Sequence, residues 1–144
     1  MNFDLAAIDT KTLSEEGVDM TIKLMGSDEP LIARNGKPVT IKLLGPDSDT
    51  YRNISRAQLR KRLLSTNDAK NLNTLDFDEI EIEALDLLAA CVVGWQNVLD
   101  TNGKDIPFSK DAARKLLENY PVVREQVDAF VATRAHFLKA SPES

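Results

Sequence analysis

Cys91 and His136 are the only cysteine and the only histidine in 144 residues, so thiol nucleophiles and imidazole proton carriers are nearly missing. A single cysteine excludes an intramolecular disulfide. Cys91 also sits inside an apolar run, where a thiol behaves as a small buried hydrophobe rather than in the electropositive, reachable setting of a nucleophile. His136 has no serine or cysteine placed nearby to form a dyad, and is expected at the surface. Long apolar runs are missing too. The longest, Leu87 to Trp95 counting Gly94, falls far short of the ~20 residues that cross a bilayer. The N-terminus lacks the basic and apolar regions of a signal peptide, so the expected compartment is a cytoplasm, with no membrane partner. Positive charge is in deficit: the net charge of −5 argues against general nucleic-acid binding. What remains, 42% hydrophobic and 28% charged, is ordinary for one globular domain with a real core.

Patterning along the chain divides it. Met20, Ile22 and Leu24 alternate with polar residues, and Val39, Ile41 and Leu43 do the same, as strands with one buried face do. Turn signals lie between them at Gly26–Pro30 and at Asn35-Gly36. Asn-Gly predicts a two-residue hairpin turn with positive φ at both central positions. Residues 18–44 are therefore read as a small antiparallel sheet of two or three strands, ended by Gly45-Pro46-Asp47-Ser48. Such a sheet must lean on something apolar.

Helices are expected beyond it. The first starts at Asp49 or Ser55 and runs to Leu64, with Arg52, Arg56 and Arg60 on one line. A polar loop covers Ser65 to Thr74. From Asp76, Leu85, Leu88, Val92, Trp95 and Leu99 recur at spacings of three and four, with Leu87, Cys91 and Val98 on a flanking face. This predicts a central helix covered on more than one side and stopped by Asn102-Gly103. Ser109 is a good N-cap for a helix burying Ala112, Ala113, Leu116 and Leu117. Pro121 suits the first position of a last helix, whose stripe is Val123, Val127, Phe130, Val131, Phe137 and Leu138. Ser141–Ser144 reads as a frayed tail. The expected fold is α+β: a small antiparallel N-terminal β-hairpin or sheet in residues 1–50, packed on a C-terminal bundle of about four helices in 51–141.

Candidate chemistry is sparse. Arg52 to Arg62 holds five bases and no acid, which suits phosphate, but Asp76 to Asp86 holds six acids and no base. Two neighbouring helices of opposite charge account for both, and no aromatic residues interleave the bases as stacking would want. Acids at a helix start suit its dipole and fan outward, whereas metal ligands must converge. Asp100 to Asp105 resembles the opening of a calcium loop, but its glycine comes too early and Lys104 falls where an oxygen ligand belongs. Gly103-Lys104 lacks the upstream glycine of a phosphate-binding loop. No metal or cofactor is expected, and no catalytic residue. The aromatic residues of the last third serve either as core or as a groove for a partner helix.

Gly94-Trp95, the acidic turn Asp100–Lys104, Ile106-Pro107-Phe108-Ser109, a short Leu-Leu helix, a proline, and Val127 with Phe130 and Phe137 together resemble the C-terminal half of tail assembly chaperones and related small tail proteins of long-tailed bacteriophages. Gly36 to Ile41, Gly45 to Ser48 and Tyr51-Arg52 are similar to the same group, so the likeness spans about residues 36–138. It implies a non-enzymatic protein of the infected bacterium. Such a protein binds the long helical tape-measure protein, helps recruit tail-tube subunits, self-associates in relatives, and is absent from the finished tail. It points to Trp95, Phe108, Phe130 and Phe137 as protein-binding residues. The alternative is a structural tail or neck protein retained in the virion.

Overall fold

Ile41 and Leu43 have no exposed surface, and they lie on the strand around which the fold is built. The computed structural model describes residues 4–66 and 77–139. Most of the polar loop expected at Ser65–Thr74, the acid at Asp76 and the tail at Ser141–Ser144 lie outside them. Three strands, β1 (Val18–Thr21), β2 (Thr40–Leu43) and β3 (Val92–Gln96), make one antiparallel sheet in the order β1-β2-β3. Val18 pairs with Leu43 and Thr21 with Thr40. Met20, Ile22, Val39, Ile41 and Leu43 are buried as their alternation predicts, while Asp19 and Lys42 face outward. One face is thus packed and the other solvated, as antiparallel sheets allow.

The helices are α1 (Lys11–Glu16), α2 (Asp49–Thr66), α3 (Phe77–Cys91), α4 (Lys110–Asn119) and α5 (Pro121–Ala132), with 3₁₀ turns at Leu5–Ile8 and Arg134–Phe137. The α+β class and the four C-terminal helices are as expected; α1 was not. Leu85, Leu88 and Ala89 of α3, Ala113 and Leu117 of α4, and Val127 and Val131 of α5 share one core with the buried strand residues. The caps follow the sequence. Ser109 Oγ accepts from Ala112 N at 3.0 Å, and Pro121 opens α5. Ser48 Oγ accepts from Tyr51 N at 3.1 Å and so caps α2.

Three expectations are corrected. The central helix stops at Cys91, and Val92–Gln96 becomes β3, so Val92 and Trp95 leave the helix and Leu99 lies in a short loop bridged to Asp105. Val92, Val93 and Trp95 favour strand, Gly94 disfavours helix, and β2 otherwise lacks a partner on that side. The β2–β3 register steps between Lys42 and Leu43, passing over Val93. The Asn35-Gly36 turn has positive φ at Gly36 only (83°). Ala33 N donates to Lys37 O at 2.8 Å across three residues, so the loop is the longer glycine-closed type. The last helix ends at Ala132, where Thr133 Oγ1 donates back to Ala129 O at 2.9 Å, and Phe137 sits on the following 3₁₀ turn.

That turn is held by Asp47. Arg134 donates to both its carboxylate oxygens, at 2.9 and 3.0 Å, and Thr10 Oγ1 donates to Oδ2 at 2.6 Å. The fork joins α1, the turn before α2 and the C-terminal segment. Nearby, a Cβ built on Gly45 would collide with Ser14 Oγ and come within 2.8 Å of a Phe137 ring carbon. Gly45→Ala should therefore destabilise by about 1–3 kcal/mol, measured by chemical denaturation. The Arg134 hydrogen bonds, then that of Thr10, hold the Asp47 carboxyl below its ordinary range against the opposing effect of burial. A lowered folded pKa adds stability above the unfolded value of about 3.9, and that stability disappears as pH falls through the folded one. Asp47→Asn should melt at a lower temperature than the parent at pH 7, and the gap should close as pH is taken below about 4.

Candidate functional site

Between the N-terminal strand and the last helix the surface opens into a cleft of about 720 Å³. Met20, Leu24, Met25, Val122, Ala129 and Phe130 supply its apolar lining. Met25 is 78% exposed, Leu24 42% and Val122 36%, so the mouth of the cleft is greasy as well as its floor. Met25 makes that surface adaptable, since an unbranched thioether repacks around varied partners. The cleft exists because the chain turns away from β1 at Gly26-Ser27 while α5 runs alongside. The two walls are joined by one side chain: Gln126 Oε1 accepts from Lys23 N at 2.8 Å, and Gln126 Nε2 donates to Lys23 O at 2.9 Å.

The four aromatic residues singled out from the sequence are not brought together. Phe130 lines the cleft, stacked on His136 with ring centroids 4.0 Å apart. Phe137 meets Phe130 edge to face at 5.7 Å but has no exposed surface, which places it in the core. Trp95 and Phe108 lie at a separate, more polar recess of about 470 Å³, packed edge to face at 5.2 Å. Trp95 Nε1 donates to Ile106 O at 2.9 Å, so its polar edge is already used. Sequence reasoning missed Met25 and Val122, and it placed Leu24 on the buried face of a strand, whereas β1 ends at Thr21 and Leu24 is left exposed beside the turn. The signal was present in an apolar pair running straight into a glycine turn, where burial is hard to arrange.

Charges distribute as opposed neighbours. Arg62 of α2 meets Glu83 of α3 at 2.9 Å, Arg114 of α4 meets Asp86, and Arg124 of α5 reaches Glu81 at 3.3 Å. Three acids of α3 are thus answered by bases from three helices. Asp100 Oδ1 accepts from the backbone N–H of Asn102 and Lys104 at 2.8 and 3.0 Å, which closes that turn. Among the described residues, no group of three or more His, Cys, Asp or Glu is placed to hold a metal.

Cys91 is fully buried, and desolvation pushes its thiol up to about 11 against the opposing pull of the Lys110 ammonium. Lys110 is otherwise engaged. Its Nζ donates to Ala90 O at 3.0 Å and Val92 O at 2.7 Å, closing the end of α3 where the strand begins. Iodoacetamide at pH 8 should leave Cys91 unmodified in the folded protein and alkylate it fully in denaturant, read by intact mass.

No curated protein matches this chain, and no solved structure does. One family model, described as YdaY prophage protein, matches residues 47–143. The match runs from the turn before α2 through all four C-terminal helices and β3, so it includes the α5 wall of the cleft and leaves β1 and β2 outside. Because it covers more than half of the 144 residues, the chain belongs to the YdaY prophage protein family, a family of phage origin.

Proposed function

We propose that this protein is a non-enzymatic tail assembly chaperone, working in the cytoplasm of the infected bacterium. It binds the tape-measure protein and helps recruit tail-tube subunits. The observation that carries the reading is the open apolar cleft beside α5, with Met25, Leu24 and Val122 at its mouth. Exposed apolar area of this kind, rimmed by polar side chains such as Glu125 and Thr133, suits a polypeptide partner. Phage origin of the family and the resemblance of residues 36–138 to tail assembly chaperones support the same reading. The net charge of −5 keeps a complex with a long, aggregation-prone partner soluble. An adaptable methionine surface lets successive segments be held and then released as the tube polymerises.

Co-expression with the tape-measure protein encoded in the same prophage tests it. The wild-type chain should keep that protein soluble and co-purify with it. Met25→Asp removes an exposed apolar side chain without touching the core, and should weaken the complex about tenfold or more. Failure of the two proteins to associate would end this reading. Mass spectrometry of purified virions separates it from a structural tail or neck protein: a chaperone is absent from the particle, a retained component is present in fixed proportion.

A further inference from the structure

We propose that the partner segment enters the cleft as an extended strand that adds to the free edge of β1, with alternate side chains lowered against α5. This rests on the cleft being a polypeptide site and specifies how it is read. The backbone carries the argument. Ile22 N donates to Val39 O at 3.0 Å, and the β1–β2 register pairs Met20 with Ile41 and Val18 with Leu43. In an antiparallel ladder hydrogen-bonded pairs alternate, so Val18 and Met20 direct their N–H and C=O groups at β2, while Ile22 turns its N–H to Val39 and its C=O accepts from Leu31 N at 2.8 Å, also on the inner side. Those of Asp19, Thr21 and Lys23 then point the other way, along the outer edge. At Lys23 this is seen directly, because the Gln126 amide both donates to its carbonyl and accepts from its N–H, as the backbone of a neighbouring strand would. The row continues to Thr21 and Asp19, and Thr21 itself borders the cleft.

Hydrogen-bonding chemistry selects the occupant's conformation. A helix laid across this edge would cover the Thr21 N–H and C=O while its own backbone groups are all used internally, leaving buried polar groups unpaired. A strand satisfies them and its own groups together. Its alternate side chains then divide. One set meets Val122, Met25, Ala129 and Phe130. The other lies beside Asp19 and Lys42 on the solvated face. The segment recognised is therefore extended, with apolar residues at every second position and polar ones between.

The probe is a short synthetic strand, acetyl-Lys-Val-Thr-Val-Thr-Val-Lys-amide, titrated into labelled protein and followed by amide NMR shifts and hydrogen exchange. The Asp19 and Thr21 amides should exchange freely alone and become protected on binding. The same peptide N-methylated at alternate residues should bind at least about tenfold more weakly, a comparison needing no variant. Thr21→Pro removes one edge donor where a strand tolerates proline, and should weaken binding about tenfold with the fold retained by circular dichroism. Equal affinity for the methylated peptide, or shifts confined to Phe130 and Val122 with none at Asp19 and Thr21, would overturn the proposal. The chaperone reading fails separately: if the strand adds to β1 but the tape-measure protein is not captured, only that reading falls. If capture needs Met25 but is indifferent to Thr21→Pro, and the model strand is too, only strand addition falls.

Discussion

A strand that buries alternate side chains completely needs hydrogen-bonding partners on both sides, and β2 meets that need with segments far apart in the chain. Ile41 and Leu43 have no exposed surface. Pairing them only with β1 would leave one backbone row of β2 without partners in the most desolvated part of the molecule. Val92–Gln96 fills that row, and this requirement explains the sharpest local event in the fold, the change from helix to strand between Cys91 and Val92. The carbonyl of Cys91 accepts from Leu44 N at 2.8 Å, so the last helical residue is also tied to the chain leaving β2. Lys110 then takes the carbonyls of Ala90 and Val92 that the change of conformation exposes. Helix α4 is positioned by the same requirement, since Lys110 is its first residue.

Elements specified by neighbours in sequence were legible: the alternating strands, the Ser109 cap, Pro121 at a helix start, and the opposed charges of α2 and α3. The helix-to-strand change was not. Leu85, Leu88, Val92, Trp95 and Leu99 keep a helical spacing by coincidence across the boundary. What breaks it is pairing with residues about fifty positions away, which no local period records. The end of the last helix was hidden for a similar reason. Phe137 continues the apolar stripe of α5, yet Arg134 is drawn to Asp47 across 87 positions and turns the chain there. For the site, aromatic content pointed to the right third of the chain and to Phe130. It could not separate Phe137, sealed in the core, from Phe130, or give weight to Met25, because exposure is decided by how a turn and a distant helix meet.

The two edges of this sheet are treated differently, and that contrast bears on function. An edge strand is a row of unpaired backbone groups that invites other chains. On the β3 side, the Lys110 ammonium from the following helix occupies the Val92 carbonyl. On the β1 side, among the described residues, only Lys23 is covered, by the Gln126 amide. Along the rest of the cleft α5 presents Val122 and Ala129, whose side chains offer no hydrogen bond, and this leaves an apolar gap. Folding alone gains nothing from exposing Met25 and Leu24 beside that gap, since burying them would add stability. Their exposure next to an open backbone row gives affinity through the backbone and selectivity through alternate side chains, while the shortness of β1 keeps the edge from recruiting strands indiscriminately. The balance suits a protein that must take hold of a chain and later let it go.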